Sequence, residues 1–212
     1  MTTMVKPRLR GVSHEIGFFV ALVAGTWIVA TAGSTLARGV TAIYAVTLAL
    51  MLGVSASYHR GAWRTRVEMR WKRADHAMIF LFVAGTYTPI CVLAIGGALG
   101  RELLLLVWAG AALGALRAIF WVRAPRVIAA ALYLVLGWLA VAFWRDVRIA
   151  LGPLTYLLVA GGTLYTVGAI VYALRRPDPL PRWFGYHEVF HVLVVAACVC
   201  HYLVILRISS PA

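Results

Sequence analysis

Long apolar runs recur along the chain, and each is closed by a short cluster of Arg, Gly or Pro. Runs of about 20 apolar residues are what an α-helix needs to cross a bilayer. The pattern predicts seven such helices, at Ile16–Thr35, Gly39–Tyr58, His76–Ile95, Leu103–Trp121, Val127–Trp144, Leu154–Leu174 and His187–Leu206. The alternating apolar and polar positions of a membrane β-barrel are missing. Two breaks read as firm helix ends: the glycine-rich Gly96–Gly100 and the proline-rich Arg175–Pro181. The expectation is an all-α integral membrane protein, a seven-helix bundle forming one domain over residues 1–212.

Composition agrees with the pattern. Of 212 residues, 63% are hydrophobic and 13% charged, about half the charged share of a soluble domain. Three cysteines are too few for a disulfide scaffold. A net charge of +13 would suit nucleic acid only on a water-soluble body, so no nucleic-acid partner is expected. Read across seven spans, 15 of the 20 Lys and Arg fall on one side of the membrane. Arg38, Arg101, Arg145, Arg148 and Arg207 fall on the other. The positive-inside rule then puts the N-terminus in the cytoplasm and the C-terminus outside, in the cell's plasma or inner membrane. The first apolar run is longer than a signal-peptide core, which favours a retained helix. Trp63, Val67 and Trp71, among arginines, suit either a short surface helix or an ordinary basic loop.

Candidate chemistry gathers where the spans meet the basic side. Ionisable side chains are costly in a bilayer, so those present tend to face the bundle interior and to have a task. His187 and His191 are four residues apart at the start of the last span and project from one helical face, a common way to offer two metal ligands. His59, ending the second span, is the best-placed third ligand. Three imidazoles with an open fourth position describe a catalytic zinc site. Asp75 is placed as general base or as a helix N-cap. Ser55 lies one turn from His59 on the same face, where its hydroxyl would enter the same space or bond back to a helical carbonyl. Glu188 rivals Asp75 as base, although it stands one residue off the ligand face. His187-Glu188-Val189-Phe190-His191 also matches the zinc-protease pattern, but Ala197 stands where metzincins place their third histidine, and no acidic residue follows Glu188. His14, Glu15 and His76 are expected at helix ends or in supporting roles, His201 too far away to bind, and the cysteines in apolar packing.

Three separated motifs carry a family resemblance. They are Ser55-Ala56-Ser57-Tyr58-His59, Arg73-Ala74-Asp75-His76 leading to Ala84-Gly85-Thr86-Tyr87-Thr88-Pro89, and Phe184-Gly185-Tyr186-His187-Glu188-Val189-Phe190-His191. The chain resembles the hemolysin III family, the bacterial branch related to the progestin and adipoQ receptors. The resemblance implies zinc on His59, His187 and His191 near the cytoplasmic face, with Asp75 beside the bound water and Ser55 nearby. It further implies a ceramidase-like hydrolase of lipid amides, its substrate entering from the inner leaflet, with a role in membrane lipid homeostasis. The alternatives are a non-enzymatic membrane regulator with a structural zinc, a cytolysin and, less well supported, a proton-linked transporter.

Overall fold

A computed structural model describes residues 6–210. Its helices are α1 (Val12–Ala30), α2 (Thr35–Arg60), α3 (Thr65–Pro89), α4 (Gly97–Phe120), α5 (Arg126–Gly137), α6 (Trp144–Leu151), α7 (Thr155–Leu174) and α8 (Tyr186–Ser209). A π-helical segment, Ile90–Ile95, continues α3, and 3₁₀ segments flank α6 at Leu139–Phe143 and Gly152–Leu154. Sequential neighbours pack side by side from α1 to α4, α7 packs on α8, and α8 returns to α1.

Among the described residues, six helical runs, not seven, are long and apolar enough to cross a membrane. The expected helices at 127–144 and 154–174 fall within one 49-residue run, Arg126–Leu174. Its first piece, α5, has 12 residues, which at 1.5 Å per residue is about 18 Å and short of the ~30 Å hydrocarbon core. Beyond it the backbone tightens into 3₁₀ geometry after Trp138, and Gly152 (φ 53°) breaks it again. Hydropathy records the apolar content of Val127–Trp144 but not the point where its α-helix stops. The count of charges on alternate sides assumed seven crossings, so it no longer orients the termini. The chain is a multi-pass membrane protein, consistent with the plasma or inner membrane.

Other boundaries moved too. α3 begins at Thr65, not His76, because the Arg-rich stretch is helical and joins the span directly. Trp63 and Trp71 stack with ring centroids 5.3 Å apart, and the Trp63 indole donates to the Ser57 carbonyl (2.9 Å) at the α2–α3 corner. From Thr65 onward that stretch is therefore neither a separate surface helix nor a loop, and Trp63 lies in the short non-helical connection, 61–64, before it. Of the glycine-rich break, Gly96 (φ 65°) ends the π-helical segment, whereas Gly97–Gly100 already belongs to α4.

The bundle is amphipathic in the sense that a membrane demands. α1 buries His14, Gly17, Ala21, Gly25 and Ile28 while Phe19, Val23 and Trp27 face outward. Small residues at three- and four-residue spacing let helices approach closely where no hydrophobic drive exists between them and lipid. Gly85 on α3 is the tightest such approach: a Cβ there would overlap the Thr47 hydroxyl of α2.

Candidate metal centre

One end of the bundle collects the start of α1, the end of α2, the first turns of α3 and the start of α8. His59 sits in the last turn of α2, and His187 and His191 occupy the first two turns of α8. The local sequence explains how α8 can begin there. Gly185 leaves room for the Asp178 carboxylate, which a Cβ there would crowd, and the Glu188 side chain reaches back to the Gly185 amide (Oε2, 2.8 Å), as in a capping box.

The three histidines converge. One nitrogen from each lies within 4.8 Å of the others, and His59 Nε2 stands 3.2 Å from His187 Nε2. With Zn–N bonds of 2.0–2.1 Å, neighbouring ligand nitrogens of a tetrahedral site are about 3.3–3.4 Å apart. The observed separation therefore fits two imidazoles facing one ion. His191 is only 2% exposed, and its Nδ1 has no hydrogen-bond partner. The trio is a buried three-histidine cluster capable of coordinating a metal ion, and its donor set is one that zinc accepts.

Asp75 stands beside the cluster, its Oδ2 3.9 Å from His59 Nε2. That exceeds a hydrogen bond, so the carboxylate neighbours the trio without being tied to it. Since α3 starts at Thr65, Asp75 is nearly three turns inside the helix, and the N-cap reading does not hold. Ser55 is buried one turn from His59 and lines the same cavity as Asp75 and the three histidines.

Glu188 is engaged differently from Asp75. It is 2% exposed, with Oε1 paired to the Arg10 guanidinium and Oε2 capping α8. Oε1 thus ties the start of α8 to the segment just before α1, while Oε2 stays within the cap of α8 itself. His14 is closer to the site than its sequence position suggested. Its ring stacks on His191 with centroids 3.7 Å apart and planes 3° from parallel. Both ring nitrogens are buried without hydrogen-bond partners. Glu15 pairs with Arg60 at 2.9 Å, joining α1 to α2. Gly11, in the left-handed region (φ 82°), lets the chain pass so near His59 that a Cβ would come within 2.8 Å of its Cβ. Sequence reasoning missed this segment because each partner lies far along the chain; the cluster of Arg10, Gly11, His14 and Glu15 was the available signal.

His76 lines the cavity, its Nδ1 unpartnered, and is not part of the trio. His201 lies deeper, with Nε2 3.3 Å from the Leu158 carbonyl. Cys198 contacts the Tyr165 hydroxyl at 3.3 Å. From the cluster a cavity of about 500 Å³ runs into the bundle between α3, α5, α7 and α8, past Phe82, Tyr87, Leu134, Val159 and Val194, to Ile95 and Val147. Its walls are mostly apolar, and its charged groups gather at the histidine end.

A multi-span helical bundle with three histidines at one end of an apolar cavity defines a class of metal-site membrane protein, and the comparisons with known proteins specify which. The pattern of the family described as haemolysin-III related matches residues 2–202, and the chain belongs to that family. It is 30% identical to hemolysin-3 of Bacillus cereus, an alignment spanning all of this chain and 95% of the relative. It is 27% identical to a hemolysin-3 homolog of Bacillus subtilis, over 97% of this chain and 95% of that one. A shorter stretch, 21% of this chain and 11% of the relative, is 43% identical to an adiponectin receptor protein of Drosophila melanogaster.

Proposed function

We propose that the protein is a membrane-embedded, zinc-dependent hydrolase of lipid amides. The observation that carries this reading is a buried three-histidine cluster with the Asp75 carboxylate beside it, at one end of a long apolar cavity. His59, His187 and His191 would hold the metal. When bound, zinc supplies Lewis acidity and makes water a nucleophile near neutral pH.

Amide hydrolysis adds water across the C–N bond, releasing a carboxylate and an amine. It needs a group that accepts a proton from water and returns one to the leaving nitrogen. We assign that role to Asp75 Oδ2, with the buried Ser55 hydroxyl orienting the reacting group by hydrogen bond. Glu188 suits the role poorly, because both of its oxygens are already committed. The apolar cavity favours an acyl chain as the substrate's body, admitted from the leaflet at the histidine end.

A second reading has one specific support. The metal would bridge α2 and α8, which otherwise touch each other little compared with their contacts to α3 and α7, so it could serve as a clamp in a non-enzymatic regulator. One experiment separates the two: metal analysis of purified protein together with hydrolysis of a fluorescent N-acyl sphingoid lipid. The hydrolase reading expects Asp75→Asn to keep the metal and lose at least about a hundredfold in turnover, and His191→Ala to lose both. Metal retention with undiminished turnover or cellular activity in Asp75→Asn would favour the clamp. Lysis of cells by purified protein, indifferent to His191→Ala, would instead favour a cytolysin, as the names of the Bacillus relatives suggest.

A further inference from the structure

Beyond the histidines, the same end of the cavity is ringed by cations without counter-ions. Lys72 on α3, Arg117 in the last turn of α4 and Arg126 at the start of α5 all line it. Each of the three lies near enough to His76, which lines the same cavity, to act on it electrostatically. Among the described residues, the ion pairs and close acid–base contacts are Arg10–Glu188, Arg60–Glu15 and His59–Asp75, and these three cations take part in none.

Arg117 is the most telling. Its Nε and one terminal nitrogen are buried and have no hydrogen-bond partner. A basic residue in the last turn of a helix is ordinarily explained by the helix dipole and by a head group reaching water. Two buried guanidinium nitrogens without partners do not meet that description, and the Trp121 ring, 5.8 Å from the group, offers a π face but no counter-charge. Nor does Asp75 neutralise it, because the Asp75 carboxylate is the one turned toward His59. Arg126 keeps its place by the Tyr186 hydroxyl (3.4 Å) and by lying 5.5 Å over the Tyr172 ring, contacts that hold the side chain but leave its charge uncompensated.

We propose that this mouth is a headgroup site, in which Lys72, Arg117 and Arg126 bind the phosphate or carboxylate of an anionic amphiphile whose hydrocarbon tail lies in the apolar cavity. Guanidinium forks suit both anions, through paired N–H···O bonds. The inference shares with the proposed function the view that the cavity takes a lipid, and it adds the headgroup that selects among lipids.

The test is a binding measurement, independent of turnover, on full-length protein in neutral detergent micelles. The probes are dioctanoyl phosphatidic acid, laurate, dioctanoyl phosphatidylcholine and inorganic phosphate, followed by native mass spectrometry or thermophoresis. At least one of the two anionic lipids should bind about tenfold or more tighter than phosphatidylcholine, the scale of one lost charge-assisted contact. The double variant Lys72→Gln/Arg117→Gln should abolish that preference while leaving phosphatidylcholine unchanged. Arg101→Gln, outside the cavity, should behave as wild type, and Arg117→Lys should keep part of the preference, which guards against a folding defect. Equal binding of anionic and zwitterionic lipids by the wild type would overturn the proposal, as would a preference that survives the double variant. Displacement of the lipids by millimolar inorganic phosphate would overturn the amphiphile and leave a small-anion site. Metal content of the same variants should stay at the wild-type level, so failure here is distinguishable from failure of the hydrolase reading.

Discussion

At the residue scale, Asp75, beside the histidine cluster in space, and Glu188, between two of its histidines in sequence, have been given different work. Asp75 is inside a helix and beside His59 without a hydrogen bond to it; Glu188 is held at both oxygens by Arg10 and the Gly185 amide. Removing one partner of a buried ion pair is costly, less so when one side keeps some access to water, as Arg10 does here. Glu188→Gln is therefore expected to lower stability by about 2–3 kcal/mol, measured by chemical denaturation in micelles. Turnover per folded molecule should stay within about threefold of wild type, since the cap can survive as an amide. A hundredfold loss of turnover with unchanged stability would identify Glu188 as the base instead. His14 acts through the His191 ring, on which it lies flat. Outer residues that fix a ligand's orientation are commonly worth 10–100-fold in metal affinity, so His14→Ala should weaken zinc binding by about that factor while His14→Phe largely retains it. Competition with a chromophoric chelator reads this directly, and equal affinity in all three proteins would rule out the positioning role.

At the element scale, the sequence was informative in proportion to how local each signal was. The His187–His191 pair is one turn of one helix, so its spacing alone announced it. Asp75 was visible as a residue but not as a position, because the Arg-rich stretch before it did not look like the opening turns of a spanning helix. The two apolar blocks inside Arg126–Leu174 were seen, whereas the 3₁₀ turns that join them depend on backbone geometry around Trp138 and Gly152. Arg10 and Glu188 are 178 residues apart, a separation no periodicity can bridge. Close helix contact is likewise set by pairs. Gly85 faces Thr47, whose hydroxyl already bonds the Ile43 carbonyl at 2.9 Å, so a methyl group there must push α3 from α2. Gly85→Ala should cost about 1–3 kcal/mol, as overpacking does, seen as a lower melting temperature with metal stoichiometry unchanged. An unaltered melting temperature would mean that the helices separate at no cost.

At the scale of the whole molecule, the cluster joins parts of the chain that the membrane alone would leave free to drift. A ligand that binds only the folded state stabilises it by mass action, by about 2.7 kcal/mol at a hundred times its dissociation constant. For a chain of this size that is a rise of about 5–10 °C in melting temperature on adding zinc, removed by chelation. His191→Ala should show no such rise. If wild type shows none either, the histidines do not bind the ion.

The join between α1 and α8 also has a consequence in time. His59 enters the membrane 128 residues before His187 is made, which at 5–20 residues per second is a wait of about 6–26 s. Over that interval Glu188, the acid that Arg10 pairs with, has not been made, and the α1 segment leans mainly on α2. The centre is therefore assembled last, and every chain whose synthesis stops before α8 lacks two of its three imidazoles. A metal held by all three imidazoles would therefore mark a chain whose synthesis is complete.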